Sequence, residues 1–144
     1  ALYWVYKKAQ ISDKALNVLL NSILVGLLKE ILCRPPEGLG ALQMKVYHYN
    51  EMPISQTFLS ISLNNEIQKN YDKFINREIL TIFTELGFDP NKPIREQEPN
   101  PLPDRKALDD IIFDALGLTE EERKEVYWAV AELVKTRLEK ARSV

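Results

Sequence analysis

The sequence predicts a mainly helical α+β fold: helices packed around a small β element, with a proline-rich linker before two C-terminal helices. Three observations predict it. Apolar residues recur at helical spacing from Leu16 to Leu32. A strand-like run, Ala41 to Tyr49, follows two closely spaced glycines, Gly38 and Gly40. Five prolines (Pro90, Pro93, Pro99, Pro101 and Pro103) precede a strong helix-start signal at Thr119.

Taken in order, residues 2–7 read as a short aromatic-rich strand closed by Lys7 and Lys8. Ser12 is a good N-cap and Asp13 suits a first helical turn, so a helix is expected over 12–34. Its apolar face is wide, from Leu16 and Leu19 to Ile31 and Leu32, and Asn17, Asn21 and Ser22 make a narrow polar stripe. Pro35-Pro36 ends it, because the ring removes a donor and restricts the residue before it. In the strand at 41–49, alternation places Leu42, Met44, Val46 and His48 on one face and Ala41, Gln43, Lys45, Tyr47 and Tyr49 on the other. Pro53 closes the ladder.

Residues 59–63 read as helical or as an irregular lead-in. A helix is then expected from about Asn65 to Leu86, with Gly87 at C′. Residues 89–104 form an extended, semi-rigid linker. A short helix follows over Lys106 to Leu116, ended by Gly117. Thr119 and Glu122 then make a capping box for a last helix reaching about Ala141, with Val126, Val130, Leu133, Val134 and Leu138 inward.

Composition bounds the function. The 144 residues suffice for one domain, or one with a small extension, and a sizeable core. A single cysteine, Cys33, rules out an internal disulfide framework and suits the cytoplasm. The chain opens Ala-Leu-Tyr-Trp, as expected of a piece cut from a longer protein or of a chain whose Met was removed before Ala. The apolar run from Ala15 to Leu32 carries Asn17, Asn21, Lys29 and Glu30, so a core helix is expected there and no membrane span. The net charge of −2 argues against a dedicated polyanion binder, but the charge is uneven. Residues 1–50 carry +3 and the remainder −5, so a polyanion contact belongs to the first third of the chain.

Chemistry is sparse. One histidine and one cysteine do not make a zinc site. A nucleophilic pair of Cys33 with His48 lacks any orienting group in the sequence, and a lone cysteine is more often a small buried hydrophobe. Asp109, Asp110 and Asp114 on one short helix, and Glu120 to Glu122 at the start of the next, are expected to be solvated. No phosphate-cradling loop is present, because Gly38-Leu39-Gly40 lacks the third glycine and the strand-then-helix order. The polar face of the 41–49 strand is the candidate site. Gln43, Lys45 and Tyr47, helped by Arg34 before them and by Lys7 and Lys8 from the start of the chain, suit DNA contact. Lys and Arg meet phosphates, and Gln can pair bidentately with adenine. The bland reading is an ordinary solvent-facing strand.

Three pieces stand in a telling order: Leu20-Asn21-Ser22, then Gly38-Leu-Gly-Ala-Leu-Gln43, then Tyr47-His-Tyr-Asn-Glu-Met-Pro-Ile54. Together they resemble the end of the target-recognition region in adenine-specific DNA methyltransferases of restriction–modification systems. The tail, Asn76-Arg-Glu-Ile79 through Phe83-Thr-Glu-Leu-Gly87 to Leu116-Gly-Leu-Thr-Glu-Glu-Glu-Arg123, is similar to the C-terminal extension of a subset of these enzymes. The resemblance implies that residues 1–56 end a recognition module and that 57–144 form a helical extension packed back on it. It implies double-stranded DNA and an upstream methyltransferase domain as partners, with S-adenosylmethionine held by that domain and no cofactor here.

The Asn/Asp-Pro-Pro-aromatic motif of those enzymes is absent, since the one Pro-Pro reads Arg34-Pro35-Pro36-Glu37. Nothing in this chain is expected to catalyse methyl transfer unaided. The alternative is a structural or protein-interaction module that docks intramolecularly or forms a homodimer through the helices at 12–34 and the C-terminus. A stand-alone enzyme dependent on Cys33 or His48 is the third reading.

Overall fold

A computed structural model describes residues 10–33, 41–60 and 65–143. Seven α-helices occur among them: α1 (Asp13–Asn21), α2 (Ile23–Leu32), α3 (Val46–Glu51), α4 (Asn65–Asn76), α5 (Ile82–Leu86), α6 (Pro103–Leu116) and α7 (Glu120–Arg142). Short 3-10 turns cover Gln56–Ser60 and Ile94–Glu96. No strand is present among the described residues, so the expected α+β fold is corrected to a helical, bundle-like one.

The strand at 41–49 is where the reading fails. Residues 41–45 are irregular, and Val46 to Glu51 coil into α3. A lone strand leaves its backbone N–H and C=O groups without partners, whereas a helical turn satisfies them internally. Gln43 and Lys45 still face solvent, and Leu42 and Met44 are half-buried, so alternation holds as far as Lys45. Beyond it the helical period takes over, and Val46, expected inward, is 52% exposed. The strand expected at 2–7 lies outside the described residues.

The helix expected over 12–34 is two helices bent by 57°. Ser22 makes the break: its backbone is extended, its Oγ donates to the Leu19 carbonyl at 2.7 Å, and the same Oγ accepts from Val25 N–H. The freed Ile23 N–H donates to Asp109 Oδ1 at 2.8 Å, a contact from α6 that no local signal announces. Among the described residues no single helix is long and apolar enough to cross a membrane.

The helix expected over 65–86 also divides. Thr81 caps α5 by accepting the Thr84 N–H, and Arg77 in the break reaches Glu85 and Asp104. The expected linker is a packed segment. The Gln97 side chain accepts from Asp89 N–H and donates to the Asp89 and Pro93 carbonyls, while Trp128 Nε1–H donates to the Gln97 carbonyl. Ile94 is buried. Pro103 opens α6 at its first turn, where the missing N–H costs nothing. The Thr119–Glu122 capping box opens α7 as expected.

Two apolar clusters form the core. Ile23, Phe83, Leu86, Tyr127, Val130 and Val134 fill the space where α2 and α5 meet α7. Val18, Leu19, Val25, Tyr71, Leu108 and Ile112 fill that between α1, α2, α4 and α6. Helix α6 serves both, with Phe113 in the first cluster and Leu108 in the second. A two-pronged ion pair from Arg137 to Glu30, at 2.7 and 3.0 Å, joins α7 to α2. On α7, Tyr127 and Ala131 are buried while Leu133, expected inward, is 38% exposed, because the buried stripe runs through 127, 130, 131 and 134.

Gly87 and Gly117 end α5 and α6 in the left-handed region, at φ 75° and 67°. They differ in surroundings: a Cβ on Gly87 would collide with the Asn100 carbonyl, and one on Gly117 would meet nothing. Gly117→Ala should therefore cost about 1 kcal/mol, the backbone term alone. Gly87→Ala should cost at least about twice that. Urea unfolding of both variants checks this ordering, and equal losses would refute the steric part.

Candidate nucleic-acid interface

The residues from Ala41 to Ile54 stand against the end of α2. Met44 is half-buried against the second cluster, Met52 is buried in it, and His48 is 5% exposed. These three turn inward and leave Gln43, Lys45 and Tyr47 outward, the last 50% exposed. Gln43, Lys45 and Tyr47, neighbours in sequence, are thus exposed from an irregular segment and a helical turn instead of a strand. Arg34, Lys7 and Lys8 lie outside the described residues. Val46 and Tyr49 add exposed apolar and aromatic surface beside them.

The inward side holds the chain's one cysteine and one histidine together. Cys33 Sγ lies 3.5 Å from His48 Nδ1, and both side chains are buried. Burial pushes the Cys33 thiol up, with Glu30 adding to the effect and Lys29 opposing it. A thiol held in its neutral form is a poor nucleophile. Among the described residues no three His, Cys, Asp or Glu side chains are grouped to hold a metal.

A second polar constellation went unread in the sequence. Asp109 is fully buried, not solvated as expected. Its Oδ1 accepts the Ile23 N–H, Tyr127 OH lies 3.5 Å from Oδ2, and the Arg105 guanidinium is 3.7 Å from Oδ1. Burial pushes its carboxyl up to about 7, against the pull of Arg105 and of the Ile23 N–H. Arg105 also donates to Glu85 Oε2 at 2.9 Å and to the Asn21 carbonyl at 2.6 Å, with its guanidinium over the Phe74 ring. Burial pushes the Glu85 carboxyl up as well, but hydrogen bonds from Arg77 and Arg105 outweigh it and hold it below the usual range.

A cleft of about 420 Å³ opens beside this network, lined by Asn17, Asn21, Phe74, Arg77, Glu85 and Arg105 among others. Arg77 Nη2 is buried at its edge without a hydrogen-bond partner among the described residues. The guanidinium charges are matched by Glu85 and Asp104, and Asp109 adds hydrogen-bonding contacts to α2 and α7, so the network is a structural tie between α1, α2, α5, α6 and α7. One signal could have found it. Arg105, Leu108, Asp109, Ile112 and Phe113 occupy a single helical stripe, and a charged pair four apart within an apolar stripe points to a buried ion pair.

Comparison with protein-family models, with curated proteins and with solved structures finds no match to this chain.

Proposed function

We propose that this chain is a DNA target-recognition and scaffold part of an adenine-specific DNA methyltransferase of a restriction–modification system, working in the cytoplasm. Methyl transfer and S-adenosylmethionine then belong to an upstream domain of the parent protein, and double-stranded DNA is the shared partner. The observation that carries the reading is the outward display of Gln43, Lys45 and Tyr47 on one stretch whose Met44, His48 and Met52 turn inward. Gln43 and Tyr47 fall within the second and third of the pieces that resemble the recognition region, and Lys45 lies between those two pieces. In this role the Lys45 ammonium pairs with a phosphate, the Gln43 carboxamide reads a base edge, and Tyr47 adds a hydroxyl and a stacking face.

Duplex binding by this chain across a salt series tests the proposal. The logarithm of the affinity should fall linearly with that of the salt concentration, and Lys45→Ala should reduce the slope by about 0.9. Salt-independent binding, or none at low salt, would remove DNA recognition from this chain. A protein-interaction role is favoured instead by Ile79 and Ile31, 94% and 61% exposed. Self-association in sedimentation, unaffected by duplex, would support that second reading.

A further inference from the structure

We propose that His48, clasped by Cys33, is the positioning residue of the DNA-contact stretch, holding Lys45 and Tyr47 in place; the inference rests on the DNA-recognition reading above. Cys33 and His48 are 15 residues apart in sequence, yet their side chains meet at 3.5 Å. They are 3% and 5% exposed. Among the described residues theirs is the only hydrogen-bonding contact from 41–51 to another element.

The Lys45 backbone N–H donates to His48 Nδ1 at 3.1 Å, satisfying an orphan donor at the start of α3. Nδ1 therefore carries the lone pair and the ring proton sits on Nε2. The Cys33 S–H is then a second, weaker donor to the same lone pair. Burial keeps that sulfur protonated and able to donate. The Tyr47 ring stands edge-on to the imidazole, with centroids 4.2 Å apart at 68°. One side chain thus fixes the backbone of Lys45 and the ring of Tyr47, and is itself anchored to the end of α2.

The sole histidine gives a single pair of ring-nitrogen signals, so long-range proton–nitrogen NMR reads its tautomer without interference. The clasp requires Nδ1 unprotonated and Nε2 protonated at neutral pH. The opposite tautomer, or a free imidazole exchanging between the two, would overturn it. In duplex binding, His48→Leu fills the site without an acceptor, whereas His48→Asn places an oxygen near the Nδ1 position. His48→Leu should weaken binding roughly tenfold and reduce the salt slope by about 0.9, as Lys45→Ala does, while His48→Asn should recover most of the loss.

Equal losses in both variants would mean simple packing, and no loss in either would mean no positioning; both overturn the inference. Wild-type protein that does not bind duplex would overturn the DNA reading, and with it the positioning of DNA contacts. The tautomer and the amide-exchange protection of residues 45–48 would then still decide whether the clasp itself exists.

Discussion

Replacing Arg105 by alanine is expected to cost about 3–5 kcal/mol of unfolding free energy, the range for removing one partner from a buried ion pair. Its side chain is 10% exposed and those of Glu85 and Asp109 are 7% and 0%, so the partners left behind are buried. Four interactions go at once: the hydrogen bonds to Glu85 and to the Asn21 carbonyl, the attraction on Asp109, and the cation over Phe74. The guanidinium fork sends Nε to α5 and Nη1 to the end of α1, a geometry that an ammonium cannot reproduce. Arg105→Lys should therefore recover less than half of the loss. Equilibrium urea unfolding measures both, and a loss under about 1 kcal/mol for alanine would show that the network contributes nothing net.

Asp109→Asn should change how stability depends on pH. The folded carboxyl lies at about 7 against an ordinary 3.8, so the folded state holds a proton that the unfolded state has released. A raised folded value contributes stability that is fully present below the unfolded value and is lost as pH rises through the folded one. For Asp109 the window runs from about pH 4 to pH 7, and the loss across it is about 4 kcal/mol. Arg105, Glu85, Asp110 and Tyr127 are the charged and titratable groups near it from α5, α6 and α7. Glu85 and Asp104, held low by their arginines, work in the opposite direction and lose stability in acid.

The difference between wild type and Asp109→Asn isolates one carboxyl from the rest. Asparagine can still accept the Ile23 N–H, so the cap on α2 survives the substitution. Relative to wild type, the variant should gain stability steadily from about pH 4 to pH 7 and then level off. A difference that stays constant over that range would mean that Asp109 keeps an ordinary carboxylate titration in the fold.

Much of this architecture is written in short-range signals. Ser12 caps α1, Thr119 and Glu122 box the start of α7, and Gly87 and Gly117 take the left-handed conformation that ends α5 and α6. Each depends on residues within four or five positions, which is the range over which a backbone donor finds a side-chain acceptor. The outward display of Gln43, Lys45 and Tyr47 was legible for a related reason. Alternation holds as far as Lys45, and at Tyr47 the helical turn happens to agree with it.

The misreadings concern choices that local preference leaves open. Val46 to Tyr49 has β-forming residues, but an isolated strand cannot satisfy its backbone groups, and the segment coils around His48 instead. The bend at Ser22 accompanies a carboxylate that arrives from 86 residues away, and the α2–α7 ion pair spans 107. Asp109 looks like a solvated acid beside Asp110 until α2 and α7 close over it.

Helix ends, caps and turn glycines thus follow from the order of residues, because their energetics close within a turn. The break between α1 and α2, the burial of Arg105 and Asp109, and the meeting of Cys33 with His48 follow from assembly. In each of these, a polar group gives up water only once a distant element supplies its partner.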